Sequence, residues 1–313
     1  MKTHRLLLIL LVSTFAFAAE GSFQRTLQVS GPVDLDVRTG SGHIIVHTGG
    51  TNTVQINGTI RAHGLDADER VHELESNPPI EQNGNSIRVG HDNNSEMFRS
   101  ISIDYDITVP AATSLHSHTG SGHQRIDGIR GPAEVQSGSG NLEISNIGGE
   151  VKADAGSGNV TLENIKGSVY TRSGSGDIRA SAIAGAFDGR TGSGSVRLQQ
   201  TAAGDVRVDT GSGGVELSGV KGALVARAGS GDIRAEGEPT SEWRLHTGSG
   251  GVTVRLPSEA AFDLYARTSS GSISVDQPVT VQGTVGRHEL RGKVRGGGTL
   301  VELETGSGNI HVE

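Results

Sequence analysis

The chain contains no cysteine. No disulfide staples it, and no thiolate is there to hold a metal, attack a substrate or carry a lipid. Aromatic residues make up only 3% of the 313, with Trp243 the single tryptophan. A ladder of aromatics for stacking sugars or bases is therefore missing. Proline is scarce at 8 residues, which excludes long Pro-rich spacers. Basic residues are outnumbered, with 27 Lys and Arg against 35 Asp and Glu and a formal charge of −8. That balance is wrong for nucleic acid or anionic lipid, whose affinity comes mostly from Lys and Arg. After the N-terminal segment no apolar run is long enough to predict a membrane span.

The first 18 residues stand apart. Lys2 and Arg5 precede the apolar run 6–12, and Ala16-Phe17-Ala18 follows as a small-x-small cleavage site. This pattern predicts a secretory signal peptide at 1–18 and an exported chain at 19–313, in the periplasm, on the outer surface or in the medium. Losing the leader takes two basic residues and no acid, so the charge falls from −8 to −10.

Glycine is plentiful, and it is periodic. The phrase Gly40-Ser41-Gly42 returns with first residues Gly120, Gly138, Gly156, Gly174, Gly192, Gly211, Gly229, Gly248 and Gly306. A degenerate copy stands at Ser269-Ser270-Gly271. Between Gly120 and Gly248 the steps are 18 or 19 residues, the mark of a repeat architecture. Counted from the first glycine, apolar residues fall at offsets 4, 6, 9, 13 and 15. The coil from Gly156 shows them as Val160, Leu162, Ile165 and Val169, with Thr171 in the last place. A small residue always precedes the phrase, as in Thr119, Ser137, Ala155, Ser173, Thr191, Thr210, Ala228, Thr247, Thr268 and Thr305. A larger side chain there is expected to clash at the corner. Period-2 alternation on both sides of a glycine corner predicts two short strands per coil. Hexads fail, because Lys166 and Arg172 follow Val160 at steps of six. The fold class predicted is all-β: a single-stranded β-solenoid, β-helix-like or β-roll-like, of flattened 18-residue coils.

The regular array runs over 119–268. Residues 20–47 read as one early coil. The block 48–118 interrupts the repeat and reads as a small α+β cap, with a helix at 66–75, a hairpin turning at Asn83-Gly84 and a strand ending at Pro110. Residues 269–313 read as irregular C-terminal coils. The chain stops in mid-coil at Glu313, so the last strand is predicted to offer an open edge for end-to-end self-association.

Four kinds of chemistry could use these residues. Ten equivalent serines at ten equivalent corners do not make a nucleophile, which needs one strained Ser with base and acid partners. No Gly-Lys-Ser/Thr run opens a helix as a phosphate loop does. A calcium ladder would place acids after the corners, and only Asp177 and Asp232 stand there. A transition-metal site would use His43 and His123, which share a column if the coils of Gly40 and Gly120 stack. The bland reading covers all of these: turn residues and solvated positions, with no catalytic residue, no metal and no cofactor.

The Thr-Gly-Ser-Gly-x-apolar-x-apolar unit resembles the "putative adhesin" domain of unknown function in bacterial secreted and envelope proteins. So do the run 105–110, Tyr-Asp-Ile-Thr-Val-Pro, and the ending from Arg291-Gly292 through Gly296-Gly297-Gly298 to Thr305-Gly306-Ser307-Gly308. The resemblance implies an envelope β-solenoid with adhesion as its role, and no catalytic residues. The function expected is a non-enzymatic, adhesin-like interaction or structural scaffold binding a surface, a glycan or a protein. Two alternatives stay open: an envelope-stress or regulatory ligand-binding module using 48–118, and a polysaccharide-active β-helix enzyme.

Overall fold

A computed structural model describes residues 18–90, 98, 100–281 and 286–313. The leader expected at 1–18 lies outside them except for Ala18, which opens the first strand. Among the described residues the chain is all-β apart from one α-helix, Ala67–Ser76, and it forms two long sheets with no closed barrel. Each coil gives one strand to each sheet. The coil from Gly156 gives Val160–Ile165 to the first sheet and Val169–Ser173 to the second. Its neighbours pair with it in parallel and in register, Val160 with Leu142 and Ile178, Val169 with Val151 and Phe187. Parallel strands stack about 4.8 Å apart, so the 14-stranded first sheet is a rod on the order of 60 Å long.

Burial follows the expected offsets. Val160, Leu162, Ile165, Val169 and Thr171 all face the space between the sheets. One coil has too little apolar surface to fold alone, and stacking merges the coils into one continuous core. Trp243 takes an inward place with no exposed surface, and its indole N–H donates to the Gly222 carbonyl at 3.0 Å. The 19-residue step from Gly192 to Gly211 is made in the turn to Val206, which is two residues longer than the turn from Ile183 to Phe187 and outweighs a one-residue shortening between Leu198 and Gln200. Gln200 pairs with Ile183 beside a register shift and fills an inward place held by isoleucine in earlier coils. Its amide donates to the carbonyls of Gly185 and Gly204 at 3.0 and 3.1 Å, so the buried polar group is satisfied.

Both ends depart from chain order, which corrects three expectations. Only Val33–Thr39 and Ile44–Thr48 form the early coil. Residues Ala18–Gln28 instead run antiparallel to Thr53–His63 at the edge of the first sheet. Within the block expected as a cap, Ser86–Gly90, Ile101–Val109 and Thr113–Thr119 run in the parallel stacks. The coil of Gly40 is slotted between the strands of 86–109 and those of 113–127. At the other end, Thr299–Ser307 lies between Trp243–Ser249 and Phe262–Ser270. Ile310–Val312 likewise lies between Val252–Arg255 and Ile273–Val275. The last strand is therefore covered on both sides and offers no open edge. The C-terminal edges belong to Ile273–Val275 and Val279–Thr280, which are short and blunted.

The hairpin pairs Asn83 with Ser86, one residue later than expected. Gly84 and Asn85 are its central pair, and of the two only Gly84 has a positive φ, of 63°. Glycine first in a two-residue turn is the II′ pattern, which matches the twist of the strands.

Candidate functional site

The corners are built by hydrogen bonds as well as by size. At Thr119, Ser137, Ser173, Thr191 and Thr210 the hydroxyl before the corner donates to a glycine carbonyl of the neighbouring corner and accepts from the third residue of its own. Ser173 donates to Gly158 O at 2.9 Å and accepts from Gly176 N at 2.9 Å. Thr191 repeats this with Gly176 and Gly194 at 2.9 and 3.1 Å. Each bond contributes roughly 1 kcal/mol net, and together they lock coil to coil. Sequence reading found the small size of this column and missed its polarity. The corner serines Ser139, Ser157, Ser175 and Ser193 are exposed, and their hydroxyls have no partner among the described residues. A nucleophile needs a base in reach, and these have none.

The residue after each corner forms a second column, and it contains all four metal candidates. His43 and His123 do stack, with ring centroids 5.3 Å apart. Yet each side chain caps the backbone of the next coil. His43 Nδ1 accepts from His123 N at 3.1 Å, and His123 Nδ1 accepts from Asn141 N at 3.1 Å. Asn141 and Asn159 continue the ladder at 2.9 Å each, and Asp177 Oδ1 accepts from Ser195 N at 2.9 Å. Asp177 Oδ2 holds Arg179 at 2.8 Å. Asp232 is spent the same way, on Gly251 N at 2.9 Å and Arg234 at 3.2 Å. The two acids stand three coils apart, about 14 Å, too far to share a cation. Among the described residues no three metal-ligating side chains converge.

A third, shorter stack supplies two predictions. Asn146, Asn164 and Ala182 hold φ of 57°, 54° and 54° at the same turn. Asn164 Nδ2 donates to Asn146 Oδ1 at 2.7 Å, and Ala182 ends the ladder with nothing to offer. Asparagine tolerates this left-handed region and alanine does not. Ala182→Asn is expected to stabilise the chain by about 1 kcal/mol, read as a raised urea midpoint with unchanged slope. Below Asn146, Asp127 accepts from Ser145 and Asn146 at 2.7 Å each. Those two hydrogen bonds hold its carboxyl below the usual aspartate range. The stability it lends is present above the unfolded pKa and is lost as the pH falls through the folded one. Asp127→Ala is expected to lower the melting temperature at pH 7, and the gap to the parent chain should narrow in scans taken down to pH 2.

The outer face of the second sheet is unlike the rest of the surface. Over five successive strands its outward residues are Tyr170 and Arg172, Asp188 and Arg190, Arg207 and Asp209, Val225 and Arg227, Arg244 and His246. Five arginines meet two aspartates there, a local excess of +3 on an anionic chain. The first-sheet strands of the same coils carry Arg179, Arg197, Lys221 and Arg234 against Glu163, Glu216, Glu236 and Glu238, and they balance. On the cationic face Arg190 grips Asp188 through two bonds of 3.0 Å, and Arg207 reaches Asp209 at 3.2 Å. Arg244 is held by Glu242 at 2.8 Å. Arg172 and Arg227 make no hydrogen bond or ion pair with any described residue. With Arg190, Asp209 and His246 they line a shallow groove of about 500 Å³ floored by the corner glycines. Sequence reading missed this column because the 19-residue coils move it out of phase. Arg172, Arg190 and Arg227 stand 16 residues after their corner glycine, Asp209 and His246 17.

A second concavity lies at the C-terminal end, where Arg291 packs over the Tyr265 ring at 4.6 Å and Lys293 meets Asp263 at 3.5 Å. Its cations are paired within it.

Glycine corners, hydroxyl-bonded coils and two parallel sheets define a β-solenoid of stacked two-strand coils. The Toastrack DUF4097 family model matches residues 149–313, more than half of the chain, and the chain belongs to that family. It is also similar to a "putative adhesin" of known structure from Bacteroides fragilis, with 14% identity, 94% of this chain and 97% of that one covered, and a TM-score of 0.35. A "putative lipid binding protein" from Parabacteroides distasonis shares 13% identity over 93% of this chain and 96% of its own, at a TM-score of 0.40. A "putative cell adhesion protein" from Clostridium sporogenes shares 12% identity over 94% and 99%, at 0.23. Comparison with curated proteins finds no match.

Proposed function

We propose that the protein is an exported, non-enzymatic scaffold of the cell envelope that binds an extended partner in the manner of an adhesin. One observation carries this reading. The coils hold their outward side chains in straight columns at the spacing of a parallel sheet, so the rod presents a long, rigid and chemically regular face. A rigid display meets a surface or a polymer without first having to order itself. The serines, histidines and acids that catalysis would recruit are taken up in backbone ladders or stand alone. The leader-like 1–18 segment supports export.

The test uses labelled 19–313 with isolated envelope fractions and intact cells. Saturable retention, with the retained material unchanged in mass, is the expected result. Failure to saturate, or cleavage of the material on incubation, overturns the proposal.

A further inference from the structure

We infer that the second-sheet face over Tyr170 to His246 binds a linear, carboxylate-bearing polysaccharide laid along the rod. This rests on the scaffold reading and names its ligand class.

The charge distribution points to an anion. Most arginines of this chain sit against a carboxylate, as Arg61 does with Asp104 at 2.7 Å and Arg255 with Glu313 at 2.6 Å. Arg172 and Arg227 bond to none, although Asp154 and Asp209 stand opposite them on the neighbouring strands. They lie in one column of a face that carries +3, on the same side of the rod, with Arg190 and His246 beside them in the groove. A guanidinium presents paired N–H donors that match a carboxylate edge.

The spacing points to a polymer. Arg172 and Arg227 are three coils apart, about 14 Å at the parallel-strand repeat. A single small anion cannot span them. A chain with an acid on successive sugar rings can, and it gains avidity from each added contact.

A sugar is favoured over other polyanions by Tyr170. This ring is 47% exposed and stands two residues before Arg172 on the same outward side of the strand. An aromatic ring offers an apolar face to the C–H face of a sugar while its hydroxyl stays in water. Arg172 is then placed to take the carboxylate of that same ring. Nucleic acid fits less well, because its bases stack on successive aromatic rings and Tyr170 is the one Phe, Tyr or Trp among the outward residues of these five strands.

The experiment immobilises polygalacturonate and measures binding of 19–313 at low salt, with poly(glycerol phosphate), neutral dextran and single-stranded DNA as parallel probes. Polygalacturonate should bind saturably and best, weakening as salt rises. The pair Arg172→Glu and Arg227→Glu should weaken it at least tenfold with an unchanged melting temperature, and Tyr170→Ala severalfold. The control pair Arg197→Glu and Arg234→Glu, on the opposite face, should leave binding intact. Equal losses from both pairs, tighter binding to the phosphate polymer or to DNA, or no binding to polygalacturonate overturns the inference. The envelope-retention assay separates it from the scaffold reading. Retention that survives the first pair refutes this site and leaves the scaffold standing, whereas loss of all retention by the parent chain refutes the scaffold whatever polygalacturonate does.

Discussion

Gly158→Ala should destabilise the protein by about 3 kcal/mol, although it adds a single methyl group. The added carbon would enter the carbonyl of Gly140, the equivalent glycine one coil earlier. Backbone cannot yield there, because Ser173 and Gly176 pin the same corner from the following coil. The φ of this glycine is not the difficulty; the closeness of the neighbouring chain is. A solenoid is held by contacts between adjacent coils, so one failed corner splits the stack into two shorter ones. Urea melts should show a lower midpoint, and a broadened or two-step transition if the halves uncouple. Ser157→Ala, one residue earlier, is the matched control. Its side chain is exposed and unbonded, so a change within about 0.5 kcal/mol is expected. Equal effects from the two substitutions would refute the steric account of the repeat.

Deleting 299–313 should do greater damage than its length suggests. The segment supplies a strand to each sheet, and each of those strands is paired on both sides. Its removal leaves the coils of 243–255 and 262–275 facing each other across a gap one coil wide. Four sheet edges are bared, along with apolar side chains such as Trp243 and Phe262 that are now buried. Loss of the cooperative thermal transition and aggregation on size exclusion are the expected results. Ile310→Glu is the gentler probe. That side chain is 0% exposed between Val252 and Ile273, and an unpaired carboxylate there should cost about 3–5 kcal/mol. A truncated chain that melts like the intact one would show that the slot is not occupied in solution.

Much of this fold was legible because a repeat states its rule many times over. Ten copies of the corner and a fixed step gave the coil length, the inward offsets and the two strands per coil. Where only one copy exists, the sequence is silent. Nothing in 306–308 says that this corner follows Gly248 in space while Ser269 to Gly271, earlier in the chain, comes after it. Pairing across a 58-residue step, as between Trp243 and Val301, leaves no local trace in either segment. At the candidate sites, His43 and His123 were placed correctly in one column, but imidazoles that ligate and imidazoles that cap backbone look alike in a sequence. The cationic face was hidden for a simpler reason. The longer turn after Gln200 moves the outward residues of its own coil by one place, Asp209 to 17 after its corner glycine while Arg190 and Arg227 keep 16, and scatters a column that the sheet restores.

The slotted ends set an order of assembly. A solenoid whose coils follow chain order can build itself from one end, each new coil templated by the last. This chain cannot finish that way. The place beside 243–255 stays vacant until 299–312 arrive, and before then 262–270 has only 289–294 to pair with. Residues 299–312 are therefore the ones that close the structure, and a chain that lacks them carries an unclosed rod. Completion is written into the topology, and any protease or chaperone that surveys exposed strands has a direct readout of it.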